Sequence, residues 1–91
     1  MNRYPTDEEL DKIEKWPQDD LPNLIEYVRV RWTYDDYFQE NEKEYRMITG
    51  GWSGNEDLIM ALKENFAFWH LYWYSTTRGG LYVFKKPENE E

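Results

Sequence analysis

The stretch Asn65-Phe66-Ala67-Phe68-Trp69-His70-Leu71-Tyr72-Trp73-Tyr74-Ser75-Thr76-Thr77, followed by Arg78-Gly79-Gly80 and Leu81-Tyr82-Val83-Phe84-Lys85, decides the fold. After Asn65 the composition turns to aromatic and β-branched residues, which favour the pleated, half-buried surface of a sheet, and the expectation is a strand. Gly79-Gly80 has the composition of a two-residue hairpin turn, which needs positive φ, and returns the chain as a second strand over Leu81–Lys85. Side chains alternate along a strand, so Trp69, Leu71 and Trp73 are expected on one face of the sheet, with Phe68, His70, Tyr72 and Tyr74 on the other. Pro87 and an acidic tail end the sheet.

Upstream, Glu44 to Thr49 reads as the first strand. Gly50, Gly51 and Gly54 break the pattern, and Ser53-Gly54-Asn55-Glu56 has capping-box spacing ahead of a helix carrying Leu58, Ile59, Leu62 and Phe66. Near the N-terminus, Thr6-Asp7-Glu8-Glu9 is a second capping box; Leu10, Ile13 and Trp16 form the helix's apolar stripe and Pro17 stops it. Asp20-Leu21-Pro22 opens another helix, with the proline in the first turn where its missing N–H does no harm. Leu21, Leu24, Ile25, Val28 and Trp32 recur at helical spacing, but Val28, Val30, Trp32 and Tyr34 also alternate with Arg29, Arg31 and Thr33, so helix and strand both fit residues 28–34. Asp35 to Glu44 carries a net charge of -4 with little periodicity and reads as a solvated connection. The expected fold is α+β: a small three-stranded antiparallel sheet with helices packed on one face, in the order α-α-β-α-β-β.

The 91 residues make one domain, divided into an acidic helical part (1–44), a glycine-loop and sheet part (45–86) and an acidic tail (87–91). A net charge of -8 argues against direct nucleic-acid binding, which relies on clustered Lys and Arg. No stretch approaches the roughly 20 apolar residues of a membrane helix. The absence of Cys excludes a disulfide scaffold, and with no secretory signal the expected location is the cytosol. The acid is concentrated early: residues 1–45 carry six basic and thirteen acidic groups, whereas residues 46–87 carry five and three. An anion site is therefore sought after residue 45. Aromatic residues make up 19% of the chain, too many for so small a core, which points to a pocket or to contacts between subunits of a homo-oligomer.

Between strand and helix, Gly50-Gly51-Trp52-Ser53-Gly54-Asn55-Glu56 is the most informative segment. Glycines let backbone amides converge, a helix N-terminus adds positive potential, and Trp52 could stack on a base. Arg78, beside Gly79, offers a planar fork for phosphate. The expected ligand residues are Gly51, Trp52, Ser53, Gly54, Asn55, Arg78 and Gly79, with Trp69, Trp73 and Tyr82 as further stacking candidates. Against this, a glycine cluster before a helix is commonly just a connection, and Glu56 and Asp57 already occupy the first turn, where they repel a phosphate. Catalytic patterns are thin. Asn55 spoils the G-x-S-x-G elbow, and the Walker and G-x-G-x-x-G patterns are missing. One His70 builds no histidine-based zinc site, so no cofactor, metal or catalytic residue is expected. Glu56, Asp57 and Arg78 leave a metal-assisted phosphodiesterase as an enzymatic alternative. Asp35, Asp36, Glu40, Glu42 and Glu44 form either a solvated surface or a row of carboxylates imitating a phosphate backbone.

The combination Gly50-Gly51-Trp52-Ser53-Gly54-Asn55-Glu56, Ala61-Leu62, Asn65, Phe68-Trp69, Trp73, Ser75 and Arg78-Gly79-Gly80 resembles a family of short bacteriophage and prophage proteins with no settled catalytic activity. The resemblance implies expression inside an infected bacterium and action on host defence. The expected function is non-enzymatic sequestration of a cyclic or modified nucleotide immune signal. The alternative is an acidic inhibitor of a host defence or nucleic-acid-binding protein.

Overall fold

A computed structural model describes residues 4–87. The elements are α1 (Asp7–Glu14), α2 (Leu21–Arg31), β1 (Phe38–Glu40), β2 (Glu44–Ile48), α3 (Ser53–Glu64), α4 (Phe66–Tyr72), β3 (Trp73–Thr77) and β4 (Leu81–Lys85), with 3-10 turns at Gln18–Asp20 and Asp35–Tyr37. One antiparallel sheet has the order β1-β2-β4-β3. Phe38, Tyr45, Met47 and Phe84 lie on its inner face and join one core with Ile13, Leu24, Ile25, Val28, Leu58, Leu62 and Phe68 from the helices. No helix among the described residues is long and apolar enough to cross a membrane.

The first helix begins as its sequence dictates. The Thr6 hydroxyl accepts from the Glu9 amide at 3.1 Å, and the Thr6 amide donates to the Glu9 carboxylate at 2.9 Å. Helix α2 runs on to Arg31, which resolves the ambiguity over residues 28–31 in favour of helix. Its end is fastened by Arg31, whose Nε meets a Glu9 carboxylate oxygen at 3.0 Å while the guanidinium lies 3.5 Å from the Tyr27 ring centroid. Leu21, Leu24, Ile25 and Val28 form the buried stripe, and Trp32 leaves the helix in extended geometry.

The sheet has four strands, one more than expected. The added strand is β1, within the run read as a solvated connection: Phe38 is buried with its ring edge-on to Trp32, and Glu40 is held by Arg29 at 3.3 Å and Lys86 at 2.9 Å. An exposed carboxylate is ordinary on an edge strand, and the two cations that meet it come from distant segments, of which local periodicity carries no sign. The Asn41 carboxamide closes the β1–β2 turn by accepting from the amides of Lys43 and Glu44.

The second correction concerns residues 66–72, which form a helix and not the start of a strand. Asn65 is the cause. Buried at 3% exposure, it caps α4 by accepting from the Phe68 amide at 3.1 Å, and its Nδ2 donates to the carbonyls of Ile13 at 2.9 Å and Trp16 at 3.3 Å. One carboxamide thus ends α1, separates α3 from α4 and starts α4. The alternating faces expected for a strand are replaced by i,i+4 pairs: Phe68 on Tyr72, Trp69 on Trp73, Phe66 on His70, each near parallel with centroids 4.8, 5.9 and 6.0 Å apart. Phe68 and Tyr72 enter the core while Phe66 stays exposed, so Phe66 does not continue the apolar stripe of α3. The element order is therefore α-α-β-β-α-α-β-β.

Removing the Asn65 carboxamide deletes a cap and a buried donor to the carbonyls of Ile13 and Trp16, of which Ile13 keeps the Trp16 amide at 3.3 Å. Asn65→Ala is expected to destabilise the fold by about 2–4 kcal/mol in urea denaturation, and Asn65→Ser, which keeps a capping oxygen, by less.

Candidate functional site

The glycine-containing loop and the hairpin meet at one edge of the molecule. Thr49, 1% exposed, joins them: its amide donates to the Gly80 carbonyl at 3.0 Å, and its own carbonyl accepts from the Trp52 amide at 3.0 Å. A Cβ on Gly80 (φ +92°) would run into the Thr49 hydroxyl, so glycine is required there both for its backbone angle and for space. Gly79 (φ +96°) meets nothing and lies open.

Between this hairpin and the first half of α3 lies a hollow of about 480 Å³ whose lining includes Thr49, Thr76, Arg78 and Gly79, with Glu56 and Asp57 opposite. Arg78 is exposed and makes no hydrogen bond or ion pair among the described residues. Tyr82 also lines the hollow, and its ring is 6.3 Å from that of Trp69, which in turn stacks on Trp73. The Trp73 indole is held in place by donating to the Thr76 hydroxyl at 2.9 Å, yet the residue remains 43% exposed. The Lys63 ammonium sits 5.8 Å from the Trp69 ring centroid. Two lining residues, Tyr82 and Thr76, thus contact a pair of stacked indoles that do not themselves line the hollow. Exposed indole faces of this kind accept planar rings.

The expected ligand residues divide. Arg78, Gly79 and Tyr82 line the hollow, and Trp69 and Trp73 adjoin it. Gly51, Trp52, Ser53, Gly54 and Asn55 do not line it. Asn55 is 1% exposed; its Oδ1 accepts from the Thr33 amide at 2.9 Å and its Nδ2 donates to the Thr33 carbonyl at 3.0 Å, which pins the strand entry to α3. Gly54 is buried against the Trp52 indole, where a Cβ would stand 2.6 Å from Nε1. Trp52 packs at 4.9 Å on the Tyr4 ring, and the Ser53 hydroxyl donates to the Tyr4 phenol, so the expected Ser53–Glu56 capping box does not form. The amides of Gly51 and Trp52 both turn to Thr49. The loop's hydrogen-bonding capacity goes largely to holding the fold, and Arg78 lines the hollow with no hydrogen bond or ion pair among the described residues.

The acidic row is broken up as well. Glu40 is paired with Arg29 and Lys86, and Glu44 with Arg46 at 3.4 Å, which leaves Asp35, Asp36 and Glu42 as carboxylates of that set with no cation at salt-bridge distance among the described residues. Arg29 and Arg31 are committed to Glu26, Glu40 and Glu9 and do not line the Arg78 hollow. Among the described residues, no group of three or more His, Asp or Glu is placed to hold a metal ion. His70 lies exposed on α4 against Phe66. Comparison with protein-family models, curated proteins and solved structures finds no match to this chain.

The contact between Gly80 and Thr49 makes a quantitative demand. Gly80→Ala is expected to cost about 1–3 kcal/mol by urea denaturation, from positive φ and collision together. Combining it with Thr49→Ala should recover the collision component, giving a non-additive double-mutant cycle, whereas Gly79→Ala with Thr49→Ala should be additive.

Proposed function

We propose that the protein binds a phosphate-bearing nucleotide non-enzymatically in the hollow between α3 and the β3–β4 hairpin. The observation that carries this reading is Arg78, a guanidinium with no hydrogen bond or ion pair among the described residues, lining a hollow whose Tyr82 and Thr76 contact the stacked indoles of Trp69 and Trp73. A nucleotide is the ligand class that brings an oxyanion and a planar ring together. Arg78 and the hydroxyls of Thr76 and Thr77 suit the phosphate, and the stacked indoles suit the base.

Glu56 and Asp57 shape the choice further. On the wall opposite the hairpin they repel phosphate, so the phosphate belongs on the hairpin side and the carboxylates face ligand N–H or hydroxyl donors. A guanine edge with two N–H groups, or the hydroxyls of a ribose, fits that polarity. In the phage setting implied by residues 50–80, the protein would withdraw a cyclic or modified nucleotide signal from a host defence system. The competing picture of a phosphate-mimicking acidic surface is weakened by the ion pairs that occupy Glu40 and Glu44.

The test is a calorimetric titration with cyclic dinucleotides and ADP-ribose derivatives. Wild type is expected to bind at least one member of the panel. Arg78→Ala and Trp73→Ala should each weaken it by about tenfold or more, with Trp52→Ala near wild type. The ligand should be recovered unchanged after heat denaturation. Absence of binding across the panel contradicts the reading, and a hydrolysed product would instead assign Glu56, Asp57 and Arg78 to catalysis.

A further inference from the structure

A second hollow lies at the other end of the sheet. It measures about 780 Å³, and its lining includes Lys43, Tyr45, Tyr72, Lys85 and Lys86, with Glu42 as a carboxylate among them. Strand register explains the gathering of cations. Glu44 pairs with Lys85 across β2 and β4, and just beyond the ladder the Lys86 amide donates to the Lys43 carbonyl at 2.9 Å. Three lysines from two chain segments are therefore delivered to one end of the sheet in a chain whose net charge is -8.

Two phenols in the groove supply a second, independent observation. Tyr45 is 9% exposed and Tyr72 is 6% exposed. Neither hydroxyl has a hydrogen-bond partner among the described residues, and neither is among the sealed, unpaired polar atoms, which are the indole nitrogens of Trp32 and Trp52. Both hydroxyls therefore keep access to solvent, and the hollow that both residues line provides it. Buried phenol groups ordinarily find an acceptor within the protein. Here burial pushes both phenols up from their ordinary value, and each remains a protonated O–H donor at neutral pH.

We propose that this groove is an oxyanion site, with the Tyr45 and Tyr72 hydroxyls as donors at its base and the ammonium groups of Lys43 and Lys85 as counter-charges at its rim. Lys86 is already engaged by Glu40 at 2.9 Å and holds position over the Tyr45 ring at 4.9 Å, so it frames the site and is not its primary charge. Lys85 lies 4.3 Å from the Tyr74 ring centroid, and Lys43 has no ion partner among the described residues. Two O–H donors and two ammonium groups lining one groove match an anion with several oxygens, the chemistry of a phosphoryl or diphosphoryl group. A single planar carboxylate satisfies fewer of them. This site shares no lining residue with the Arg78 hollow and does not depend on its function.

The test titrates the full chain with pyrophosphate by calorimetry at constant ionic strength, with acetate and sodium chloride as reference anions. Pyrophosphate is expected to bind and the reference anions are not. The exposed double substitution Lys43→Gln/Lys85→Gln should weaken binding by about tenfold or more, and Tyr72→Phe by several-fold, while Lys15→Gln, an exposed lysine that lines neither hollow, leaves it unchanged. Should Tyr72→Phe fail to fold, Tyr45→Phe serves the same purpose. The proposal is overturned by no pyrophosphate binding, by equal response to acetate, or by binding that survives the lysine substitutions. Loss of pyrophosphate binding in Arg78→Ala alone would assign the anion to the hairpin hollow.

Discussion

A single buried carboxamide, that of Asn65, holds together the part of the molecule on which everything else is built. Its oxygen starts α4 and its nitrogen donates to the Ile13 carbonyl in the last turn of α1 and the Trp16 carbonyl just beyond it, so the start of one helix is tied to the end of another across the 52 residues between Ile13 and Asn65. Because α4 begins there, the aromatic run becomes helical, and its rings sort by the helix repeat. Phe68 and Tyr72 fall into the core beside Phe84, and Trp69 and Trp73 fall on the flank beside Tyr82. An extended chain through the same residues would keep Trp69 and Trp73 on one face but about 13 Å apart, too far to stack.

Asn55 plays the matching role at the other end of α3. It binds both backbone groups of Thr33, so the turn entering the 3-10 segment and β1 is held against the helix start. Two asparagines thus bracket α3 and anchor it to chain segments that precede the sheet. Nearby, Thr49 anchors the hairpin to the glycine loop. The hollow at Arg78 exists because these bonds fix α3 and the hairpin at a set separation while using up polar groups of the loop between them. A site whose walls are held by buried hydrogen bonds needs little rearrangement to receive a ligand.

Much of this architecture is legible in the residues themselves. The Thr6–Glu9 capping box, the stop before Pro17 and the early proline of α2 act locally, and each works as its chemistry requires. The hairpin is a correction: Thr77 pairs with Leu81, so the expected two-residue Gly79-Gly80 turn is a three-residue loop that takes in Arg78. What escapes is non-local or ambiguous in period. Strand β1 depends on cations 11 and 46 residues away from Glu40, which no window around Phe38 contains. The aromatic run carries two periods at once: its composition suits a sheet, while Phe66/His70, Phe68/Tyr72 and Trp69/Trp73 repeat at four residues, the helical signal that could have settled it. Asn55 and Gly54 look like ligand residues because small and polar groups beside glycines resemble an anion loop. Only their burial shows them serving the fold. Arg78 was legible as a candidate because a lone arginine beside two glycines has few local acids to pair with.

The most direct measurement is a proton–nitrogen correlation spectrum of the labelled protein recorded with and without a bound nucleotide. The account predicts shifts concentrated at the backbone amides of Arg78, Gly79 and Gly80 and at the indole N–H signals of Trp69 and Trp73, with the Trp52 indole and the Asn55 carboxamide undisturbed. Shifts centred on Trp52, Ser53 and Gly54 with the hairpin silent would contradict it.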